Sequence, residues 1–448
     1  MAKRFAVVGG GWAGFSAAVE LARSGHQVAI FEAARALGGR ARRVEFDGRT
    51  LDNGQHILLG AYRETLRLMR LVGVDLDAAI LTLPLQMRYP AGDAGMDFVA
   101  PRLPAPFHVG IALLRARGLS REDKLALARF STTARWMGWQ LHTDCTVSEL
   151  LERFDQTPRL VQLMWRPLCL AALNTAPERA SAQVFLAVLR DSLGARRAAS
   201  DMLLPRADLS ALFPDAAAAW LRSKGHSVHI GAQVSAMHAA APHAESAPWT
   251  LETRGAAPHH CDGVVLAASP LASAALLAPH GAAAELAAQL NAFAPEPITT
   301  CYLQYAPGTR LATPFHALVD DPANERWAQF VFDRGQLDAR QAGLFAVVIS
   351  AASAAAALPQ EALAQALARQ LATDLARPEL AAPSWSKVIT EKRATFACTP
   401  ALARPDNVTP LAGLVLAGDY TRGDYPATLE MAVRSGRAAA QALARAAQ

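Results

Sequence analysis

Cysteine is scarce in this sequence and forms no paired motif. The five cysteines, at positions 145, 169, 261, 301 and 398, are far apart and odd in number. This spacing indicates neither a disulfide framework nor a CxxC metal or redox site, and we expect no bound metal. Isolated cysteines of this kind are usually reduced and buried, as is typical of a cytoplasmic protein.

Charged residues are also few. They make up 19% of the 448 residues, whereas 52% are hydrophobic; soluble domains average about 25% charged. The net charge of +5 comes from scattered arginines, so no basic block indicates a nucleic-acid partner. Extra apolar surface suits a lipid partner, and mild basicity suits peripheral contact with the inner face of an anionic membrane. An ordinary solvated surface is the alternative interpretation.

No segment has the uninterrupted apolar length of a membrane span. The uncharged runs 263–284 and 341–360 are interrupted by proline and glycine or consist largely of alanine. The N-terminal run 5–33 contains three adjacent glycines and Glu20, which the centre of a signal peptide does not contain. We therefore expect a cytoplasmic protein without a spanning helix.

The N-terminal run instead has the pattern of a βαβ nucleotide-binding unit. An apolar strand leads into Gly9, Gly11 and Gly14, and a helical segment and a second strand follow. In such a turn the first glycine permits the tight bend, the second lets the backbone approach a pyrophosphate, and the third lets helix and strand pack closely. We expect cofactor contacts from Gly9, Gly11, Trp12, Ala13 and Gly14.

Glu32 follows the second strand of this unit. A carboxylate at that position accepts a hydrogen bond from a ribose hydroxyl of the cofactor. A glycine turn without any ligand is the alternative interpretation. The strand, helix, second strand and acid in register favour the cofactor site.

Further glycine motifs extend this pattern to both ends of the chain. "LGGR" and "DNGQH" follow the βαβ unit, and "GLVLAGDY" precedes a C-terminal helix expected from about Ala427. Together they resemble the flavin-dependent amine oxidase and phytoene desaturase superfamily, whose cofactor is FAD rather than NAD. "HSVHIGAQVSAMH" resembles the part of that fold that contacts adenine. The resemblance implies FAD contacts from Gly38, Gly39, Arg40, Asn53, Gly54, Gln55, His56, Val234, Gly418, Asp419, Thr428 and Leu429.

The same resemblance implies a discontinuous α/β fold. A Rossmann-like FAD-binding domain of the amine oxidase and glutathione reductase type is expected from residues 1–80, 200–270 and 385–448. An inserted α+β substrate domain is expected from residues 81–199 and 271–384. The first insertion is rich in apolar and aromatic residues. A lipophilic tunnel and an ordinary packed core are both consistent with that composition.

Four stretches narrow the resemblance: "DNGQHILLGAY", "WRPLCLAALNT", "EKRATFACTPALARP" and "LAGDYTRGDYPATLE". They are similar to the squalene-associated FAD-dependent desaturases, the hydroxysqualene dehydroxylases, and the similarity covers essentially the whole chain. It implies that reduced FAD removes the hydroxyl of hydroxysqualene, which yields squalene in squalene and hopanoid synthesis. Upstream synthases of the squalene pathway are further candidate partners. Met431 departs from the family pattern, which usually has glycine there, and we expect it to shift the C-terminal helix relative to the flavin.

Such a reaction needs an acid near the hydroxyl and a dry apolar channel for the chain. We predict Asp424 and His56 as the acid and Tyr425 as a hydrogen-bond donor. The alternatives are that Asp424 caps the C-terminal helix, that His56 only binds backbone, and that Tyr425 only lines the channel. The residues predicted to face substrate are Trp165, Leu170 and Asn174.

Three other functions compete with this one. A phytoene-type desaturase also holds a polyisoprenoid against FAD but runs in the oxidative direction. A flavin amine oxidase often holds a water with lysine, for which Lys387 and Lys392 are available. A flavoprotein that binds lipid without turnover is the non-enzymatic alternative.

Overall fold

The apolar segments around the glycine turn form strands of one sheet in the computed structural model, which describes residues 2–90, 95–240 and 248–446. The strands of the molecule, in chain order, are β1 (Arg4–Val8), β2 (Gln27–Glu32), β3 (Arg43–Phe46), β4 (Arg49–Asp52), β5 (Leu58–Leu59), β6 (Ile80–Leu83), β7 (Gln86–Arg88), β8 (Asp97–Val99), β9 (Met202–Pro205), β10 (Ser227–Ile230), β11 (Val234–Ala239), β12 (Trp249–Thr253), β13 (His259–Cys261), β14 (Gly263–Leu266), β15 (Pro295–Gln304), β16 (Phe315–Ala317), β17 (Phe330–Asp333), β18 (Leu344–Ile349), β19 (Trp385–Phe396) and β20 (Leu414–Leu416).

Helices surround these strands. In chain order the α-helices are α1 (Trp12–Arg23), α2 (Arg63–Leu71), α3 (Leu76–Ala79), α4 (Phe107–Arg115), α5 (Arg121–Trp136), α6 (Val147–Arg153), α7 (Pro158–Leu160), α8 (Arg166–Leu173), α9 (Ala182–Ser192), α10 (Leu209–Leu212), α11 (Pro214–Ser223), α12 (Pro270–Leu277), α13 (Ala284–Asn291), α14 (Gln360–Asp374) and α15 (Leu429–Ala446). A π-helical turn, Val161–Trp165, joins α7 to α8. No helix in the described ranges is long and apolar enough to cross a membrane.

The parallel sheet gathers strands from distant parts of the sequence. Its order is β10-β2-β1-β14-β20, and every neighbouring pair is parallel. The inner strands β1 and β14 and the edge strand β20 are nearly continuous apolar runs, because elements cover both faces of such a sheet. The Rossmann-like α/β fold class predicted from the sequence is confirmed.

Helices from the two ends of the chain pack directly on each other. The Ser16 hydroxyl in α1 donates a hydrogen bond to the Val433 carbonyl in α15, with an O–O distance of 2.7 Å. A Cβ on Gly436 would lie 2.2 Å from the Ala13 carbonyl oxygen. Glycine at this position therefore permits the close approach that brings the C-terminal motif beside the N-terminal glycine turn.

A second, antiparallel sheet has the order β16-β17-β18-β15-β19. Strand β19 pairs with β15 along its length, from Trp385 opposite Gln304 to Phe396 opposite Pro295. By this pairing β19 belongs to the antiparallel sheet and not to the parallel one, so the domain boundary expected at residue 385 moves to the end of the strand. The rest of the domain division stays a prediction. All five cysteines are buried and free, as the sequence predicts.

Glu430 connects the C-terminal helix to α2. Its side chain is fully buried and accepts hydrogen bonds from the Glu64 and Thr65 N–H groups, at 3.2 and 3.0 Å, and from the Thr65 hydroxyl at 2.8 Å. Arg434 donates a fourth bond, at 2.7 Å. The carboxylate thereby satisfies backbone donors at the start of α2, where the preceding residue gives no side-chain cap.

The substitution Glu430→Gln should lower the free energy of unfolding by about 2 kcal/mol. The glutamine side chain has no charge, and its NH₂ group would lie against N–H and O–H donors that now bind the Glu430 carboxylate. Urea denaturation of the flavin-loaded protein measures this. Glu285→Gln, in the exposed first turn of α13, makes the same chemical change without buried partners. Equal losses in both variants would contradict the role assigned to Glu430.

Candidate active site

Glycine occupies each of the three positions Gly9, Gly11 and Gly14 of the N-terminal turn for a different reason. Gly9 has a φ of +115°, and a Cβ there would lie 2.5 Å from the Ala267 carbonyl oxygen. A Cβ on Gly14 would lie 1.9 Å from the Gly9 carbonyl oxygen, so this glycine lets α1 pack against the turn. A Cβ on Gly11 would meet only the Gly39 Cα, at 3.9 Å. The protein therefore leaves open space at Gly11, where the sequence predicts a pyrophosphate.

Glu32 holds the glycine turn from the end of β2. Its carboxylate accepts hydrogen bonds from the N–H groups of Gly10, at 2.6 Å, and Ala34, at 2.7 Å. The Gly10 carbonyl in turn accepts a bond of 2.9 Å from the Gly38 N–H. The turn, the acid and the "LGGR" motif thus form one cradle, in which the contact between Glu32 and ribose stays a prediction.

A cavity of about 980 Å³ begins at this cradle and extends to the helices α4, α5, α8 and α9 and to the antiparallel sheet. Nearly all predicted cofactor residues line it: Gly9, Gly11, Trp12, Ala13, Glu32, Gly38, Gly39, Arg40, Asn53, Gly54, Gln55, His56, Val234, Gly418, Asp419, Thr428 and Leu429. Gly14 is not among the lining residues, because its position is filled by packing against the turn. The cavity thus brings together motifs that are more than 400 residues apart in sequence.

Arg40 links the N-terminal and C-terminal motifs. Its guanidinium donates to the Asp419 carboxylate and to the Ala394 carbonyl, both at 2.7 Å. Burial would lower the pKa of Arg40, but the charge and hydrogen bond of Asp419 outweigh it and the pKa is raised. The side chain therefore remains cationic beside the cavity.

Arg404 shapes the loop that closes the C-terminal side of the cavity. It donates hydrogen bonds to the carbonyl oxygens of Asp419, Gly423 and Tyr425, at 2.7, 3.1 and 2.6 Å. Sequence analysis did not predict this role, although Arg404 lies in the family-like stretch "ALARP". One cation that binds several carbonyls of a loop fixes its path, so Arg404 is a positioning residue for Asp419 and Tyr425.

The start of the C-terminal helix differs slightly from the prediction. Helix α15 begins at Leu429 rather than at Ala427, and the Thr428 hydroxyl accepts a bond of 3.2 Å from the Met431 N–H. Thr428, and not Asp424, is therefore the capping residue. Met431 is buried against Gly423, whose Cβ would lie 2.5 Å from the Met431 Cε, and does not line the cavity. The expected helix shift stays a prediction.

His56 lines the cavity, but its ring is committed to the backbone. The Nδ1 atom lies 2.7 Å from the Gly54 carbonyl oxygen, and this contact requires Nδ1 to carry a proton. Burial lowers the pKa of His56 more than this bond raises it, so the neutral ring is favoured. Nε2 is then an acceptor. The geometry favours the alternative that His56 binds backbone.

Asp52, next to the cofactor loop, is a buried acid with an unusual pKa. Its carboxylate accepts a bond of 2.8 Å from the Leu209 N–H and lies 4.0 Å from the Arg334 guanidinium. Burial outweighs the attraction of Arg334 and raises the pKa of Asp52 to about 6. The folded protein therefore binds a proton more tightly than the unfolded chain does, and this stabilisation is lost as pH rises through 6.

We expect the wild type to lose about 2 kcal/mol of stability relative to Asp52→Asn between pH 4.5 and pH 7.5. An asparagine can keep the Leu209 contact but does not titrate. Urea unfolding of both proteins at the two pH values gives the difference. A constant difference across this range would show that the Asp52 carboxyl titrates normally.

Tyr425 reaches the cavity, whereas Asp424 does not. The Tyr425 hydroxyl donates a short hydrogen bond to Asp191, and both residues line the cavity. The Asp424 side chain is 68% exposed, contacts Arg190 at 3.3 Å and is absent from the cavity wall. The loop held by Arg404 turns these adjacent residues in different directions, so the prediction of Asp424 as the acid is not supported by its position.

Asp191 is an acidic residue of the cavity wall that sequence analysis missed. It lies near the end of α9, and the neighbouring Arg190 binds its two carboxylate oxygens at 2.7 and 3.2 Å. Burial would raise the pKa of Asp191, but the hydrogen bonds from Arg190 and Tyr425 more than compensate and the pKa is lowered. The sequence "VLRDSLG" contains no motif that separates this acid from an ordinary helical surface residue.

The predicted substrate residues have different surroundings. Trp165 and Asn174 line the cavity, and Leu170 does not. The Asn174 side chain donates to Thr395 at 2.9 Å and accepts from the Ala351 N–H at 2.6 Å, so it mainly joins α8 to the second sheet. Many apolar side chains also line this part of the cavity, and they include Val109, Leu113, Leu127, Met164, Leu168, Phe185, Val188, Phe330 and Phe332.

Neither candidate amine-oxidase lysine lies on the cavity wall. The Lys387 ammonium is 3.8 Å from the centre of the Phe46 ring, and Lys392 is exposed. The other lysines, at positions 3, 124 and 224, do not line the cavity either. Within the described ranges, the cavity wall therefore lacks the lysine with which a flavin amine oxidase often holds a water.

Comparison with known proteins shows the family to which this chain belongs. A family model described as flavin containing amine oxidoreductase matches residues 12–444. The chain belongs to this family. Hydroxysqualene dehydroxylases of Rhodopseudomonas palustris and Sinorhizobium fredii are 30% and 28% identical to this flavin-dependent oxidoreductase, each over 98% of both chains. The resemblance predicted from the sequence is confirmed.

The fold of this family member also matches solved structures. An oxidoreductase from Methanosarcina mazei aligns with a TM-score of 0.70 over 99% of this chain and 100% of that chain. The two sequences are 16% identical, so the likeness concerns the fold alone. It covers both the parallel sheet and the antiparallel sheet of the flavoprotein.

Proposed function

We propose that this flavoprotein binds FAD and catalyses the reductive dehydroxylation of hydroxysqualene to squalene. The observation that carries the proposal is the continuity of one cavity, from the cofactor cradle to an apolar wall in the substrate domain. Its relatives named hydroxysqualene dehydroxylase align over 98% of the chain, which supports the same substrate.

The residues of the cradle fit FAD. The open space at Gly11 suits a pyrophosphate, and the start of α15 at Leu429 offers N–H groups to an electron-rich ring. Arg40 supplies a lasting positive charge between the two motifs. When bound in its reduced form, FAD supplies the hydride that replaces the substrate hydroxyl.

The chain contributes a proton donor and a negative charge. Loss of an allylic hydroxyl as water requires a proton and leaves a delocalised positive charge on the substrate. Burial raises the pKa of Tyr425, so its hydroxyl keeps its proton. The hydroxyl donates this proton to Asp191, and by turning its O–H from Asp191 to the substrate it can hydrogen-bond the leaving oxygen. The lowered pKa of Asp191 keeps this carboxylate anionic, and it can stabilise the positive charge.

The apolar wall protects this charge from water. A cation that met water would be captured again as an alcohol, so side chains such as Phe330 and Met164 favour reduction by excluding solvent. The same wall fits a long hydrocarbon. We also propose that the protein associates with upstream synthases of the squalene pathway.

Anaerobic single turnover tests the proposal. The flavin of the purified holoprotein is reduced, hydroxysqualene is added, and flavin absorbance and squalene are followed together. We expect recovery of oxidised flavin and one squalene for each flavin. Reduced flavin that persists with hydroxysqualene, while the oxidised protein dehydrogenates a phytoene-type substrate, would instead support the desaturase alternative.

A further inference from the structure

The outer side of the cavity wall is unusually apolar. Nine large apolar side chains are exposed among the described residues, and five of them lie within 103–136. In this segment Phe107 and Leu114 are 63% and 70% exposed, and Leu125 and Trp136 are 63% and 88% exposed. Soluble monomeric proteins rarely expose a patch of several large apolar side chains.

These side chains form one stripe on each of two neighbouring helices. Phe107 and Leu114 are seven residues apart in α4, and Leu125 and Trp136 are eleven apart in α5, so each pair shares a helix face. Other residues of the same helices line the cavity: Val109, Leu113, Leu127 and Ser131. The two helices therefore have one side toward the substrate and an apolar side toward the outside.

The excess of positive over negative charge lies in the same segment, although basic residues occur along the whole chain. Residues 101–136 contain seven Lys and Arg and two Asp and Glu, a net charge of +5 that equals the net charge of the whole chain. Arg121 and Arg129 lie four residues on either side of Leu125 and are exposed. One of the two acids, Asp123, is buried in the capping box of α5.

We propose that this face of α4 and α5, the basic apolar face, docks on a bilayer that contains anionic lipid. Arginines would contact lipid phosphates while Phe107, Leu114, Leu125 and Trp136 enter the interface. A second copy of the chain is a poor occupant, because two such faces would bring like charges together. This docking proposal rests on the proposed function only for the identity of the lipid that the bilayer delivers to the cavity.

Vesicle sedimentation of the flavin-loaded full chain tests the docking. We expect binding to phosphatidylcholine vesicles with 30% phosphatidylglycerol, and much weaker binding to pure phosphatidylcholine or in high salt. The double variant R121Q/R129Q should bind about 25-fold more weakly, at about fivefold for each arginine. L125S/W136S should weaken binding at least tenfold, since each change removes apolar area from the interface.

The control I230S/V408S changes two exposed apolar residues outside this face. Equal losses in the control and in L125S/W136S would overturn the proposal, as would a wild type that binds neither kind of vesicle. A protein dimer or complex that the same substitutions disrupt, without vesicle binding, would identify a protein-binding face instead and would also overturn it.

Turnover in detergent micelles separates this proposal from the proposed function. The L125S/W136S variant should keep wild-type turnover of micellar hydroxysqualene, because neither side chain lines the cavity. Vesicle binding without any micellar turnover by the wild type would count against the dehydroxylase function and leave the docking face supported. Micellar turnover without vesicle binding would count against the docking face alone.

Discussion

Replacing Asp191 by Asn should lower the turnover of hydroxysqualene by at least about 100-fold while the protein keeps its flavin. Asparagine keeps the size of the side chain but removes the negative charge beside Tyr425. Arg190, which binds both oxygens of Asp191, would then lose its closest anion. The positive charge that forms when water leaves would therefore be less stable.

Asp424→Asn is the matched control for this prediction. Asp424 also contacts Arg190, at 3.3 Å, but it is exposed and does not line the cavity. We expect less than about a twofold change in turnover, because an exposed ion pair contributes little. Single-turnover rates at saturating substrate separate chemistry from binding. If both variants lost activity equally, the effect would come from Arg190 and not from a charge at the reacting centre.

The second large effect is expected at Gly11. Gly11→Ala should weaken FAD binding about 10- to 100-fold, because the added methyl group would enter space that the cofactor needs. Its φ of −84° is one that alanine adopts without strain, and no protein atom approaches the added Cβ closely. The apoprotein should therefore unfold at the same urea concentration as the wild-type apoprotein.

Two further glycines make this prediction specific. Gly14→Ala places its Cβ 1.9 Å from a carbonyl oxygen and should destabilise the apoprotein itself. Gly281→Ala adds a methyl group to open space at a residue that does not line the cavity, and should change neither property. Fluorescence titration of the apoprotein with FAD gives the dissociation constants. Unchanged FAD affinity in Gly11→Ala would contradict the position assigned to the pyrophosphate.

The cofactor side of the molecule could be predicted because the residues that form it lie close together in the sequence and their types are fixed by local backbone geometry. The glycine turn, Glu32 and "LGGR" are close in sequence, and steric limits on Gly9 and Gly14 dictate the residue type directly. The C-terminal motif was also predictable, since an apolar strand is followed directly by Gly418 and Asp419 and then by a helix. The details of capping, such as Thr428 in place of Asp424, depend on the path of the preceding loop.

The substrate side was less predictable because its contacts are long-range. Asp191 and Tyr425 are far apart in sequence and meet only when α9 packs beside the C-terminal loop. Arg404 selects which of the adjacent Asp424 and Tyr425 faces the cavity, through bonds to backbone carbonyls that no side-chain pattern records. Strand β19 likewise belongs to the second sheet through pairing with the distant strand β15.

The most direct test of the proposed function is single turnover in deuterated water. The reduced holoprotein is equilibrated anaerobically in this solvent, so that the exchangeable hydrogen of its flavin becomes deuterium, and is then mixed with hydroxysqualene. The proposal predicts squalene with one deuterium, on the carbon that lost the hydroxyl. Squalene without deuterium, formed while the flavin is reoxidised, would contradict the transfer of hydride from the flavin to the substrate.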